Sequence, residues 1–162
     1  MIVISDTSVL SNLILINRLD ILEQVFSEII IPNEVAAELM KLKDYGIDLS
    51  TFTNATWIKT LNSSNQALIK DLSGSLDRGE SAAISLALEV NADYLAIDER
   101  AGRRIAKELG LKIIGLIGIL VRAKKLRIIQ EVKPVLDELI SRANFYISKH
   151  FYNKILEDIG EN

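Results

Sequence analysis

Short apolar runs alternating with helical patterns predict an α/β fold, with a mostly parallel sheet covered by helices on both faces. Two observations carry this expectation. Ile2-Val3-Ile4 and Tyr94-Leu95-Ala96-Ile97 are unbroken apolar runs, the pattern of strands buried on both faces. Each run is stopped by an aspartate, Asp6 after Ser5 and Asp98 directly, and each is followed by helix-forming sequence. In open α/β sheets, ligands bind beyond the carboxyl ends of strands, so both aspartates fall where a site is expected.

The elements follow in order. After the first strand, Leu10, Leu13, Ile14 and Ile16 mark one helix, and Leu19, Leu22, Val25 and Phe26 a second, with Asp20 near its start. Ile29-Ile30-Ile31 is a second strand, ended by Pro32. Pro32 suits the start of a helix, where its missing N–H costs nothing. That helix carries the stripe Val35, Leu39 and Leu42 and breaks near Tyr45-Gly46, and the polar stretch from Asp44 to Ala55 reads as a connection. Trp57 to Thr60 is a weaker strand at a sheet edge. A turn over Asn62 to Asn65 leads into a short helix, Gln66 to Leu72, broken by Gly74 and Ser75. Arg78 to Val90 is a helix, Tyr94 to Ile97 the fourth strand, and Glu99 to Leu109 a helix closed by Gly110 as its C-terminal cap. Lys112 to Ile114 is the fifth strand, and Ile117 to Lys125 is helical. Two C-terminal helices complete the chain between about residues 131 and 159, one through Val135, Leu136 and Leu139, the other through Phe151, Ile155 and Leu156. There are no internal repeats or low-complexity segments, so the 162 residues are expected to form a single domain.

Composition narrows the chemistry. Hydrophobic residues make up 49% of the chain, enough for a sizeable core. There is no cysteine and only one histidine, His150, near the C-terminus. That removes disulfides and thiolate sites, and weighs against Ser-His-Asp machinery and a histidine-built zinc site. Catalysis then rests on carboxylates, hydroxyls, lysines or a bound metal. The net charge of −3 gives no global attraction to nucleic acid. No apolar run approaches the ~18 residues of a membrane span. The chain enters a strand at once, with no secretory pattern, so a cytoplasmic location is expected.

Four carboxylates stand out, each with a bland alternative. Asp6 and Asp98 end strands, but either can be an ordinary helix N-cap. Glu38, in IPNEVAAEL, borders the stripe of Val35, Leu39 and Leu42, though a Glu there taken alone reads as part of a solvated helix face. Glu80, in LDRGESAAISLAL, lies on the same helical face as Ala83, Ile84, Ala87 and Leu88, where a carboxylate needs a partner. Its alternative is a capping box with Asp77. If the strands ending at Asp6 and Asp98 are neighbours, the acids cluster, repel one another and raise their own pKa values unless a cation is present. Mg²⁺ and Mn²⁺ favour such all-oxygen sites, and a metal there can activate water and stabilise charge on a phosphoryl group. Thr7 and Ser8 carry hydroxyls able to orient a carboxylate, and Glu99 is a further acid beside Asp98.

DTS after the first strand, IPNEVAAEL after the second, LDRGESAAISLAL, and AIDERAGRRIA at the fourth resemble a PIN-domain protein, of the branch related to ribonuclease toxins of toxin–antitoxin pairs. KPVLDELI and ISKHFYNKIL extend the resemblance over nearly the whole chain. It implies a three-layer α/β/α fold with a mostly parallel five-stranded sheet in the order 3-2-1-4-5. It also implies a Mg²⁺- or Mn²⁺-dependent nuclease acting on RNA. The family's acidic positions fall on Asp6, Glu38, Glu80 and Asp98, with Asp6, Glu80 and Asp98 as metal ligands, and Ser8 matches the hydroxyl that supports the first aspartate. An antitoxin partner and a homodimer or higher homo-oligomer follow from the resemblance alone.

Arg100, Arg103, Arg104 and Lys107 fall at helical spacing opposite Ala101, Ile105 and Leu109, a basic stripe beginning beside Asp98. Arg100 near a helix N-terminus opposes the dipole, so a phosphate backbone is a reason for its presence, against the alternative of a solvated face. Aromatics are 6% of the chain and not interleaved with these cations, which gives no support to base stacking. Gly115 and Gly118 read as close strand–helix packing. The expectation is a metal-dependent endoribonuclease in which a metal-activated water attacks the phosphodiester in line. Its rivals are a catalytically silent RNA- or antitoxin-binding module whose acids are caps, and a phosphatase using Asp6 as nucleophile, which Ser8 at the usual second Asp position disfavours.

Overall fold

The computed structural model describes residues 1–162. Five parallel strands form one sheet: β1 (Val3–Ser5), β2 (Ile29–Ile31), β3 (Ile58–Thr60), β4 (Tyr94–Ala96) and β5 (Ile113–Ile114). Their order is β3-β2-β1-β4-β5. Successive strands run outward from β1 on one side, and the chain then returns to start again at β4 on the other. The point of reversal lies between β1 and β4, where Ile4 pairs with Leu95 and Ser5 with Ala96. Both strand-ending aspartates leave the sheet at this gap.

Helices α1 (Thr7–Leu15), α2 (Asp20–Phe26), α8 (Leu116–Lys125) and α9 (Lys133–Arg142) contribute to the larger core, 25 buried residues that include Val3 and Ala96. A smaller core of nine, with Ile4, Leu95 and Ile97, packs under α6 (Arg78–Glu89) and α7 (Arg100–Glu108). Adjacent residues of one strand therefore serve opposite faces, as the two-residue period of a pleated sheet requires. Each fully buried Ile or Leu contributes about 1.5–3 kcal/mol of transfer free energy. Helices α3 (Asn33–Met40), α4 (Ser50–Thr53), α5 (Gln66–Leu72) and α10 (Lys149–Asp158) complete the chain.

Three sequence expectations need correction. Ile2 lies outside β1 and is 38% exposed; only its carbonyl joins the sheet edge, accepting the N–H of Asp93. The stretch from Asp44 to Ala55 is no plain connection. A 3₁₀ turn over Lys41–Tyr45 ends at Gly46, which has φ 75°, and α4 follows because Leu49 is buried in the larger core. In α7 the buried positions are Gly102 and Ala106, while Ala101 and Leu109 are exposed. The buried face is rotated by one residue because a glycine makes the closest approach there.

The end of the chain is tied back into the fold. The Glu161 carboxylate accepts the N–H groups of Val132 and Lys133, both at 2.8 Å, and pairs with Lys124 Nζ at 2.8 Å. α9 has no side-chain cap of its own, so Glu161 caps it from 28 residues away.

Candidate metal and nucleic-acid site

Asp6 is 1% exposed and is the N-cap of α1. Its carboxylate accepts the Val9 N–H at 3.2 Å and the Ser8 hydroxyl at 3.0 Å. The cap expected from sequence is real, yet it does not settle the charge. Burial pushes the Asp6 pKa up to about 8 against the lowering effect of the Val9 and Ser8 bonds, and the charges of Asp98 and Glu80 add to the rise.

Glu80 completes a capping box with Asp77: the Glu80 N–H donates to Asp77 Oδ1 at 2.7 Å, and Glu80 Oε1 accepts the Asp77 N–H at 3.4 Å. The other oxygen, Oε2, is buried with no hydrogen-bond partner. Burial first, then Asp77 and Glu99, push this carboxyl up to about 7. Asp98, in contrast, is not the cap of α7. That position is Glu99, which makes no capping bond. Both Asp98 oxygens instead accept the Leu116 N–H at the start of α8, at 3.1 and 3.2 Å. Burial raises its pKa, the Leu116 bond and Arg103 oppose the rise, and the exposed Glu99 adds to it.

Glu38 reaches the cluster from the side. It accepts a hydrogen bond from the Thr7 hydroxyl and another, at 3.1 Å, from the Gly79 N–H. It thereby joins the residue after Asp6 to the residue before Glu80, and holds the first turns of α1 and α6 together.

A feature the sequence reading missed is that three of these acids each lie against a glycine. A β-carbon at Gly79 would lie 2.6 Å from Glu38 Oε2, one at Gly102 2.6 Å from Glu80 Oε2, and one at Gly115 2.7 Å from Asp98 Oδ1. The role assigned to Gly115 from sequence, strand–helix packing, is thus corrected: it makes room for Asp98 and Arg103. Gly118 does sit close to a strand, 3.1 Å from Ile114 Cγ1 by the same measure.

Of the four cations, Arg103 is the one that lies against a candidate acid. Its Nη1 donates to the Ile97 carbonyl at 3.0 Å and lies 4.0 Å from Asp98 Oδ1. Arg104 pairs with Glu108 at 3.1 Å in solvent, and Arg100 and Lys107 are exposed. All four line one shallow concavity of about 470 Å³ whose only other wall is Asp98.

The family profile described as a PIN domain matches residues 2–161. The chain belongs to the PIN-domain family. A comparison with curated proteins finds no match. PIN domains are generally nucleases and typically use divalent metal ions. No group of three or more acids stands at metal-ligand spacing here. What fits such an ion is the donor chemistry: carboxylate oxygens only, pKa values raised chiefly by burial, and a buried Glu80 oxygen with no partner. No helix of this PIN domain is long and apolar enough to cross a membrane.

Proposed function

We propose that this PIN domain is a Mg²⁺- or Mn²⁺-dependent endoribonuclease of the toxin type, hydrolysing RNA phosphodiesters without a covalent intermediate. The observation that carries the reading is Glu80 Oε2, a buried carboxylate oxygen with no partner beside two other acids whose pKa values are raised. Such a group is costly unless something positive binds it.

In this reading Asp6, Glu80 and Asp98 hold the ion. When bound, a divalent cation there activates water and offsets charge on the phosphodiester. The chain's own residues do the rest. Ser8 and Val9 fix the direction of the Asp6 carboxylate. Glu38 is a positioning residue, acting through Thr7 and Gly79 to hold the starts of α1 and α6. Leu116 fixes Asp98, and Glu99 contributes negative charge at the rim. Arg100, Arg103, Arg104 and Lys107 attract the phosphate backbone without reading sequence. The toxin-type reading also gives the protein a small antitoxin as partner and a homodimer or higher oligomer as its form. The resemblance of the motifs supports both, and an adjacent reading frame whose small product copurifies with and inhibits the protein is the test of the partner.

The enzymatic test is cleavage of single-stranded RNA with Mg²⁺ or Mn²⁺ added. Activity is expected to require the ion and to vanish in Asp6→Asn. Equal activity in that variant, in chelator, rules the reading out. A second reading, a silent RNA- or antitoxin-binding module, draws on the caps that Asp6 and Glu80 do make. It predicts no Mn²⁺-induced rise in melting temperature, whereas a metal site raises it by mass action.

A further inference from the structure

Asp98 and Arg103 also line a second depression of about 690 Å³, larger than the cationic concavity. Its floor is β5 and the start of α8, and its wall is the irregular segment between α9 and α10. The lining is mainly apolar, with Ile114, Ile117, Phe145, Tyr146 and Phe151 among its residues. Tyr146 is 87% exposed and Phe151 49%, and neither ring is needed to close the larger core. Exposed aromatics at the mouth of a groove are costly to hydrate and are suited to stacking. Asp98 and Arg103 form part of both depressions, so the cationic and the apolar linings adjoin at these two residues and a polymer bound there meets both. Ser148 sits at the same edge. Its oxygen accepts the Phe151 N–H at 3.1 Å, and its proton remains free to donate.

We propose that this groove is a nucleobase subsite, in which a base of single-stranded RNA next to the phosphate held at Arg103 stacks on Tyr146 and Phe151. The proposal rests on the nuclease reading and adds to it what binds beside the acids. A charged backbone explains the cationic concavity but leaves the aromatic side without an occupant. A base attached to that same backbone occupies it, and stacking tolerates any base because every base presents a π-face. The sequence showed no aromatics interleaved with the basic stripe. The fold brings Tyr146 and Phe151 to Arg103 across more than forty residues of chain.

The test uses equilibrium binding of a short oligoribonucleotide carrying 2-aminopurine to the full-length Asp6→Asn protein, so that turnover plays no part. Stacking is expected to quench the fluorophore, and Tyr146→Ala to weaken binding by roughly 5- to 100-fold with loss of the quench. Tyr146→Phe, which keeps the ring, is expected to retain both. An otherwise identical oligonucleotide abasic at that position is expected to bind Tyr146→Ala and parent protein equally. Phe151→Ala is read in parallel, with circular dichroism to confirm folding. If Tyr146→Ala and Phe151→Ala leave affinity and quench unchanged, no base stacks there, and the proposal fails even if wild-type protein cleaves RNA. The groove then fits an apolar protein segment. If the quench is present and ring-dependent but wild-type protein never cleaves RNA with Mg²⁺ or Mn²⁺, the subsite stands and the nuclease reading falls.

Discussion

Replacing Asp6 with asparagine should make the metal-free protein more stable while destroying its function. In the folded chain Asp6 keeps its proton up to about pH 8, and in the unfolded chain it loses it near 3.8. Between these values the folded state binds more protons, so stability is fully present below about 3.8 and drains away as pH rises to about 8. At about 1.4 kcal/mol per pH unit, the gap of roughly four pH units sets a ceiling of about 6 kcal/mol. Asparagine caps a helix as well as aspartate does, so the Val9 bond survives. Its amide protons, buried where a carboxylate sat, return about 1–3 kcal/mol of the gain. The net expectation in chelator at pH 8 is a stabilisation of about 3–5 kcal/mol, or roughly 6–20 °C in melting temperature for a chain of this size. At pH 4 the difference should shrink to nothing or change sign. The assay is thermal melting of both proteins from pH 4 to 9 in EDTA, repeated with Mn²⁺. Wild-type protein should recover stability with Mn²⁺, by about 2.7 kcal/mol at a hundred times the dissociation constant, and the variant should not. A variant no more stable than wild type at pH 8, with a difference that ignores pH, would refute the reasoning that Asp6 is a strained carboxylate awaiting a cation.

Other consequences are equally direct. Gly102→Ala puts a methyl group against Glu80 Oε2 and 2.7 Å from Ile97 Cδ1; crowding of about 1–3 kcal/mol should outweigh the gain of about 1 kcal/mol in helix propensity, and urea melts should show net loss together with a smaller Mn²⁺ effect. Glu161→Ala strands the part-buried Val132 N–H at the start of α9, while water can replace the lost acceptor at the exposed Lys133 N–H, and should cost roughly 1–3 kcal/mol in urea unfolding at neutral pH. Burial pushes Glu161 up, but Lys124 and the two N–H bonds outweigh it and hold its pKa below the usual 4.5. Its contribution is therefore present above about 4.5 and lost as pH falls through the lower folded value, so variant and wild type should converge in acid. Arg104→Ala breaks only an exposed pair with Glu108 and should change stability by less than about 0.5 kcal/mol. The same change should weaken RNA binding for all sequences alike and lower the salt slope by roughly 0.7.

Much of the fold was legible because its signals are local. A wholly apolar run ending in aspartate, twice, located β1 and β4, and the reversal between them follows from parallel pairing. Asp6 was legible as a cap, and it serves as one while carrying a strongly raised pKa. The glycines were not legible. Gly79 and Gly102 have ordinary helical backbone, so nothing in the local pattern separates a glycine that admits a carboxylate from one that is merely tolerated. Asp98 was misread as a possible cap for a similar reason: its partner, Leu116, lies 18 residues on and is reached only across β5. Leu49 looked like one apolar residue in a polar stretch until the core closed over it.

The strands of this sheet are only two or three residues long. At about 3.3 Å per residue, Ile2 at the amino edge stands roughly 13 Å from Asp6 at the other. The thickness of the molecule along β1 is thus one short ruler with an exposed residue at one end and the carboxylates at the other. Diamagnetic Mg²⁺ held by those carboxylates would shift the backbone amide signals at the carboxyl ends of β1 and β4 and leave Ile2 and the outer strand β3 little changed, so nuclear magnetic resonance can locate the ion by which signals move, with no substrate and no turnover.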